Sequence, residues 1–302
     1  MEKLPEGNEG IAGRYPGDAG IERDERVLFA DGFEEAECPP GEKWTGQWFS
    51  GCRVAVTRGK GEAHSGRKAL EMTAMRPSPE AVGCGVEKIL WEGEDVLFWR
   101  YYMKFGKDSE FFHGGAHNGA GIDARRPGLG KATPGTRADG TNKYCVVLDT
   151  WRGDEGVASP GYLVVYVYHP EQRHNFGEQW FPSGRVLPTK GAQGQEMFGE
   201  EFVSREDFIP ERDRWYCYEL MVKANRAGGR DGRIAVWVDG ELRADFPNLR
   251  LRDVDTLKMR RAWLDLYTHN ERMQKPVSMW FDDVVMARSY IGPMAGKGAG
   301  RG

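Results

Sequence analysis

The sequence predicts an all-β protein, a single jelly-roll sandwich of two antiparallel sheets with long loops over one concave face. Segments that alternate apolar and polar residues recur along most of the chain, whereas helical periodicity is nearly absent. Glycine accounts for 41 of 302 residues and aromatic residues for 12%. This glycine share is well above the usual one, and together the two features favour strands joined by many turns.

The predicted strands cover nearly the whole length without a long linker, which indicates one β domain. The Asp239-Gly240 dipeptide predicts a tight hairpin between two of them. The predicted strands are Val27–Phe33, Arg53–Arg58, Lys68–Met75, Gly83–Leu90, Val96–Phe105, Tyr144–Trp151, Gly161–His169, Arg214–Ala224, Arg233–Asp239, Glu241–Phe246, Arg261–His269 and Val277–Ala287.

Four other segments complete the predicted organisation. Residues 1–26 are polar and form an N-terminal extension, residues 27–293 form the β domain, and residues 294–302 form a flexible, glycine-rich tail. Gly106–Lys143 and Pro170–Glu211 are long segments predicted to be loops. Loops of this length are usually functional or disordered, and we expect both to line the open face of the sandwich.

Charge and cysteine usage exclude several classes. The net charge of −4 and the pI of about 6.0 do not point to nucleic acid or to an acidic membrane surface, and no apolar run is long enough to span a membrane. The five cysteines contain no CxxC pair, which argues against a zinc ribbon. If the chain is exported, Cys38 and Cys52 are candidates for a disulfide.

Two predicted strands carry polar and aromatic residues on one side and apolar residues on the other. In Val96–Phe105 the polar side holds Arg100, Tyr102 and Lys104. In Gly161–His169 it holds Tyr166 and Tyr168, among others. Because both strands adjoin the long loops, we interpret these stripes as one ligand-binding groove; the alternative is an ordinary solvent-exposed face.

Several stretches resemble known carbohydrate-active sandwiches. "HSGRKALEM" (His64–Met72), "GRIAVWVDGELRADF" (Gly232–Phe246) and "MWFDDVVMARSYIGP" (Met279–Pro293) resemble strands of concanavalin-like sandwiches, in which the last strand pairs with an early one, here "FADGFE" (Phe29–Glu34). The order of "LFWRYYMKF", a Gly-Gly and Pro-Gly-Leu loop, "YCVVLDTWRG" and "GYLVVYVYHPEQRHNFGE" resembles jelly-roll polysaccharide lyases of the alginate and glucuronan type. In the loop, Ala116 replaces the lysine that follows Gly-Gly in that family.

The resemblance implies β-elimination on a uronate-containing polysaccharide. That reaction needs a group that neutralises the uronate carboxylate, a base for the C5 proton and an acid for the leaving oxygen. The candidate catalytic residues are His113, His117, Tyr166, Tyr168 and Arg100. The candidate substrate-binding residues are Asn118, Tyr102, Lys104, His169, Arg173, His174 and Trp180.

The metal, partner and location that follow are also expectations. No cofactor is expected for catalysis, but Glu34, Asp282 and Asp283 are candidates for a structural calcium site, with edge-strand charge as the alternative. We expect a monomeric enzyme. Its expected partner is an anionic polysaccharide, not nucleic acid or a membrane. Such polymers are rarely cytoplasmic, so we expect an extracellular or periplasmic protein whose signal peptide has been removed.

Two other functions stay open. A non-catalytic carbohydrate-binding module would use the aromatic face without the histidines. A glycoside hydrolase of this fold would typically carry an E-x-D-x-E strand with two carboxyls on one side. The stretches "WLDLYTHNE" and "VVLDTWRGDE" lack the first Glu, which argues against hydrolysis.

Overall fold

The computed structural model is built almost entirely from β-strands. It describes residues 2–36, 42–57, 59, 62–75, 81–111, 117–130, 134–152, 156–187, 197–269 and 275–296. Short 3₁₀ turns lie between residues 7 and 23. The strands are β1 (Val27–Asp31), β2 (Gly46–Ser50), β3 (Cys52–Thr57), β4 (Ala69–Ala74), β5 (Ala81–Glu94), β6 (Val96–Phe105), β7 (His117–Arg125), β8 (Lys143–Trp151), β9 (Tyr162–Tyr168), β10 (Glu178–Trp180), β11 (Val186–Leu187), β12 (Tyr216–Lys223), β13 (Gly232–Val238), β14 (Glu241–Leu249), β15 (Met259–His269) and β16 (Val277–Ala287).

The strands form two antiparallel sheets, which confirms the predicted jelly-roll sandwich. Sheet A has the order β14-β13-β12-β6-β16-β4-β3, with β1 beside β16. Sheet B has the order β11-β10-β9-β8-β7-β15-β5-β2. The predicted pairing of the first and last strands is confirmed, with Phe29 opposite Met286.

The core lies between the two sheets and follows the alternation of each strand. Trp99 and Leu220 face inward from sheet A, and Leu148 and Leu264 face inward from sheet B; all four are essentially fully buried. Burial of apolar surface stabilises the fold by about 25 cal/mol per Å², so the apolar face of each strand points inward. The opposite face of each strand is the one available for a ligand or for further packing.

Several strands lie where loops were predicted, and β7 is the most consequential. It occupies part of the segment Gly106–Lys143 and pairs with both β8 and β15. The glycines of β7 led to the prediction of a loop, because glycine is depleted in strands. Gly121 is required by packing, since a Cβ there would lie 2.1 Å from a ring carbon of Trp263.

The outer face of sheet A is covered by the N-terminal segment, residues 2–26. Ile11 and Ile21 pack in an apolar cluster with Phe98 and Trp237. The indole nitrogen of Trp237 donates to the Pro5 carbonyl at 2.9 Å. This segment, which the sequence presents as a polar extension, therefore closes one face of the sandwich.

Arg100 lies on the face covered by this segment and is fully buried. Its guanidinium forms an ion pair with Asp18 of the N-terminal segment. The backbone N–H of Met294 donates to the Tyr102 hydroxyl at 2.9 Å, and Gly17 donates to the carbonyl of Ala295. The first residues of the predicted tail are thus hydrogen-bonded to this face, whereas residues 297–302 lie outside the described part.

Cys52 is a free thiol, and the thiol of Cys84 donates to the carbonyl of Arg53 at 3.8 Å. Cys38, the other member of the disulfide considered above, lies outside the described residues. Within the described part of the chain, no helix has both the length and the apolar character needed to cross a membrane.

The Arg100–Asp18 pair provides a stability test. Asp18→Asn leaves a buried guanidinium without its counter-charge, so the free energy of unfolding should fall by roughly 3 kcal/mol. Denaturant unfolding of the variant measures this loss. Arg53→Gln is the control, because Arg53 is half exposed in its pair with Glu71; it should change stability by less than about 1 kcal/mol. Equal effects of the two substitutions would contradict the buried role of Arg100.

Candidate functional site

The outward face of sheet B carries the candidate site. His117 on β7, Tyr166 and Tyr168 on β9, and Asp265 and Tyr267 on β15 point away from the core on this face. The loop between β7 and β8 also contributes, because Ala138 packs in one cluster with Tyr166 and Tyr168. We refer to this surface as the site face.

His117 is oriented by Asp149 of the neighbouring strand β8. The ring Nδ1 lies 2.8 Å from Asp149 Oδ2. The other oxygen, Oδ1, accepts hydrogen bonds from the backbone N–H groups of Asn118, at 2.9 Å, and Thr150, at 2.7 Å. With the Nδ1 proton directed at Asp149, Nε2 is the nitrogen that can act on a substrate.

Asp149 also sets the protonation of His117. Burial of the ring acts to lower the pKa of His117, but the hydrogen bond and charge of Asp149, together with the charge of Asp265, outweigh it. The pKa of His117 is therefore raised above its usual 6.5. A histidine held by a carboxylate in this way can act as a general base.

Two tyrosine rings lie beside His117, and a third tyrosine is hydrogen-bonded to one of them. Its ring centroid lies 4.9 Å from that of Tyr166 and 5.7 Å from that of Tyr267. The Tyr166 hydroxyl accepts from the backbone N–H of Gly177 at 3.0 Å and donates to the Tyr168 hydroxyl at 3.3 Å. Burial raises the pKa of both Tyr166 and Tyr168, so both are phenols able to donate a proton at neutral pH.

A lysine lies at the other end of this tyrosine pair. The Lys143 ammonium is 3.9 Å from the centroid of the Tyr168 ring. Burial lowers the pKa of Lys143 to about 8, which leaves it mostly protonated at neutral pH. Arg125 stands directly opposite Lys143 in the β7–β8 pairing, and its Nε donates to Asp123 at 3.1 Å. That ion pair engages the charge of Arg125, so Lys143 is the cation beside the tyrosine pair.

A third cation on the site face, Arg261, has a structural role. Arg261 is held by Glu87 at 2.6 Å and by Asp123 at 3.2 Å. Its guanidinium carbon lies 4.3 Å from the ring centroid of Trp263 and 5.4 Å from that of Trp48. These contacts occupy the charge of Arg261 and fix the two indoles against the sheet.

Asp265 is a carboxyl on this face with an oxygen that accepts no hydrogen bond from the described residues. It is buried, and Oδ1 has no hydrogen-bond partner within the described residues. Burial, helped by the charge of Asp149 and opposed by His117 and Arg261, raises the pKa of Asp265 to about 7. A carboxyl of this kind exchanges its proton near neutrality.

The structure brings only part of the predicted catalytic set together. His117, Tyr166 and Tyr168 share the site face. Arg100, with Tyr102 and Lys104, lies on sheet A, so the predicted single groove that joined both stripes is wrong. Alternation correctly showed a polar side of β6, but the N-terminal segment covers that side. His113 lies outside the described residues.

Three predicted substrate-binding residues are buried in the interior instead. The Asn118 amide points to Thr150 at 3.5 Å on the core side of β7. His169 bonds Glu178 at 2.9 Å and is buried. The Trp180 ring, 0% exposed, packs against Phe198, so it cannot stack on a sugar. Each residue faces the core because strand alternation turns it away from the site face.

Arg173 and His174 are exposed in the turn that follows β9. Gln172 holds this turn by donating to the carbonyls of His174, at 2.7 Å, and Phe176, at 2.9 Å. The same turn supplies Gly177, which bonds Tyr166. Contact of Arg173 or His174 with a substrate stays a prediction.

The candidate calcium ligands accept hydrogen bonds from the protein. Glu34 accepts from the backbone N–H groups of Arg67 and Lys68 at 2.6 and 2.7 Å. Asp282 accepts from the backbone of His64 at 2.8 Å, and Asp283 bonds the His64 ring at 2.7 Å. Across the described residues, no group of three or more potential metal-ligating side chains is found. A structural calcium site at these residues stays a prediction.

Sequence reasoning missed the functional positions of Asp149, Asp265, Tyr267 and Lys143. Asp149 and Asp265 lie in the two stretches considered only for a hydrolase motif. Applying strand alternation to β15 places Trp263, Asp265 and Tyr267 on one face, and that signal was present in the sequence.

Comparisons with known proteins support the fold. Neither a protein-family model nor a curated protein sequence matches the chain. Solved structures that resemble it include the endo-β-1,4-glucuronan lyase from the fungus Trichoderma reesei (TM-score 0.55, 16% identity, 87% of this chain and 96% of that one), the alginate lyase vAL-1 from Chlorella virus (0.53, 14%, 83% and 94%), and a mutant of alginate lyase Aly36B in complex with alginate trisaccharide (0.51, 13%, 74% and 82%). At such identities the likeness shows a shared fold.

The His117–Asp149 bond predicts a measurable shift. In Asp149→Asn the charge is lost while burial remains, so the pKa of His117 should fall; an NMR titration of the imidazole measures it. Because folding raises this pKa, His117 contributes stability that is present below about pH 6.5 and lost as the pH rises through the raised value. The variant should lose that contribution.

Glu178→Gln is the matched control, because Glu178 bonds the core histidine His169 instead. It should leave the titration of His117 unchanged. An unchanged pKa of His117 in Asp149→Asn would show that Asp149 does not govern its protonation.

Proposed function

We propose that this protein is a polysaccharide lyase that cleaves a uronate-containing polysaccharide, of the glucuronan or alginate kind, by β-elimination. The observation that carries the proposal is the oriented His117–Asp149 pair beside the hydrogen-bonded phenols of Tyr166 and Tyr168. The fold shared with alginate and glucuronan lyases supports it. Because such polymers are rarely cytoplasmic, we place its action outside the cell or in the periplasm.

His117 is the base in this proposal. Its Nε2 takes the C5 proton of the uronate while Asp149 stabilises the imidazolium that forms. A positioned base typically contributes about 10²–10⁴-fold to the rate. Since the base form must be neutral, activity rises as the pH rises through the raised pKa of His117.

Tyr168 is the acid. Its hydroxyl accepts the hydrogen bond from Tyr166, which in turn is held by Gly177. Because Tyr168 is the acceptor in that hydrogen bond, its own proton is the one given to the leaving glycosidic oxygen in this proposal. The raised pKa of Tyr168 keeps that proton in place until the bond to the leaving oxygen breaks.

The cation Lys143 favours an acidic polymer. It lies at the Tyr168 end of the site face, where the sugar next to the cleaved bond would sit. A uronate carboxylate on that sugar forms a charge-assisted contact with Lys143, which strengthens binding without taking part in the chemistry.

Hydrolysis is the weaker alternative on this face. A glycosidase needs two carboxyls that flank the bond. Asp149 is engaged by His117 and two backbone donors, and Asp123 and Glu87 are both engaged by Arg261. Asp265 alone does not supply the pair.

The proposal is tested on polyuronates by ultraviolet absorbance, which rises when a C4–C5 double bond forms. His117→Ala and Tyr168→Phe should each lower kcat by about 10²–10⁴-fold with little loss of stability. Tyr15→Phe and His64→Asn are matched controls on the sheet A side and should keep full activity. Retained activity in the His117 and Tyr168 variants would refute the assignment. Binding without absorbance would favour a binding module, and new reducing ends without absorbance would favour hydrolysis.

A further inference from the structure

Asp265 carries a buried, unsatisfied oxygen in the centre of the site face. The residue is 8% exposed, and Oδ1 has no hydrogen-bond partner among the described residues. Its direct neighbours on the adjacent strands are Gly119 of β7 and Gly85 of β5, which carry no side chains. A buried polar atom left unpaired costs about 1–3 kcal/mol, so a ligand group that pairs with it recovers that energy.

Charged and titratable groups surround Asp265 on several strands. The charges of the groups on β7, β8 and β15 shift the pKa of Asp265, and the charge of Asp265 in turn raises the pKa of the groups on β5 and β6. In chain order the groups are Cys84, Tyr101, His117, Asp149 and Arg261. The positive groups favour its ionised form, whereas burial and Asp149 favour the protonated one.

The two carboxyls near His117 have different duties. Asp149 accepts hydrogen bonds from His117 and from two backbone N–H groups, and these donors stabilise its negative charge. A uronate whose C5 lies at His117 brings a third carboxyl to the same place. Three negative charges there would repel one another, and Asp265 is the carboxyl whose unpaired oxygen can carry a proton instead.

We propose that Asp265, in its protonated form, donates a hydrogen bond to the carboxylate of the uronate whose C5 proton His117 removes. This role rests on the proposed lyase function and supplies the carboxylate-neutralising group that Arg100, buried on sheet A, does not. Asp265 is then a further catalytic residue, since it touches the group on which negative charge develops.

The reaction balances with the residues in place. His117 Nε2 takes the C5 proton, and the electron pair of that C–H bond moves toward the carboxyl, whose growing charge Asp265 stabilises by hydrogen bonding. The pair then forms the C4–C5 double bond as the C4–O bond breaks, and Tyr168 protonates the departing oxygen. Transfer of a proton from His117 to Tyr168 through solvent restores both, and Asp265 keeps its own proton throughout.

Kinetics separate this role from a structural one. In the wild type, ionisation of Asp265 removes the hydrogen-bond donor, so activity should decline toward alkaline pH. Asp265→Asn keeps a donor that cannot ionise, so this variant should lose that decline and should keep activity within about tenfold of the wild type at mildly acidic pH. Asp265→Ala removes the donor and should lower kcat by about 10²–10³-fold. Thermal melts of both variants check folding.

Binding gives a readout that does not need turnover. In a Tyr168→Phe background, the affinity for a short oligouronate should fall between about pH 6 and pH 8.5 as Asp265 ionises and as Lys143 and His117 lose their protons, and the fall should be about tenfold smaller when Asp265→Asn is added. The neutral oligosaccharide in which the carboxyls are reduced to alcohols is the matched probe, and its affinity should not change with pH.

The outcomes are distinct. If Asp265→Asn keeps the full pH dependence, if the neutral oligosaccharide shows the same dependence, or if no oligouronate binds, the role of Asp265 is overturned. If binding behaves as expected but no polyuronate yields an unsaturated product, carboxylate recognition by Asp265 stands and the lyase proposal falls.

Discussion

The antiparallel pairing of β7 between β8 and β15 is the constraint on which the candidate site depends. Pairing with β8 brings His117 within hydrogen-bond distance of Asp149, and pairing with β15 places Tyr267 opposite His117. Glycines make this possible, because Gly121 leaves room for the Trp263 indole. A strand of larger residues in the same place would push Trp263 outward and fill the face. The chemistry of the site is thus a consequence of how small the β7 side chains are.

The outward faces of the two sheets are covered to different extents, and this difference separates structural polar residues from candidate functional ones. On sheet A, the N-terminal segment covers Arg100 and supplies Asp18 as its counter-charge. On sheet B, His117 and the tyrosines pack only partly beneath loops. Charges are costly to bury without a counter-charge, so the Arg100–Asp18 pair is explained by the fold itself. Among the described residues, unpaired buried polar atoms remain on both faces, at Arg100 and Asp18 on sheet A and at Asp265 on sheet B, but Asp265 has no such ion-pair partner.

Sequence patterns predicted the fold better than the site. The bounds of β6 and β16 match their predicted ranges because their apolar residues alternate regularly. β7 escaped prediction because "HNGAGIDAR" has the composition of a turn, and its strand conformation depends on partners far away in the chain. Alternation also showed that Arg100 and Tyr102 share a polar side, but it carries no information on what covers that side. The pairing of His117 with Asp149, 32 residues apart, requires the register of two strands.

The site face combines one oriented base, two phenols and a carboxyl that titrates near neutrality, an arrangement suited to moving protons about an acidic sugar. The proposed lyase function requires that the glycosidic bond breaks by elimination, without the addition of water. Digestion of a polyuronate in water labelled with heavy oxygen tests this most directly, with mass spectrometry of the oligosaccharides released. The account predicts unsaturated products that carry no label at the new ends. Saturated products that carry one labelled oxygen at each cleaved bond would contradict it.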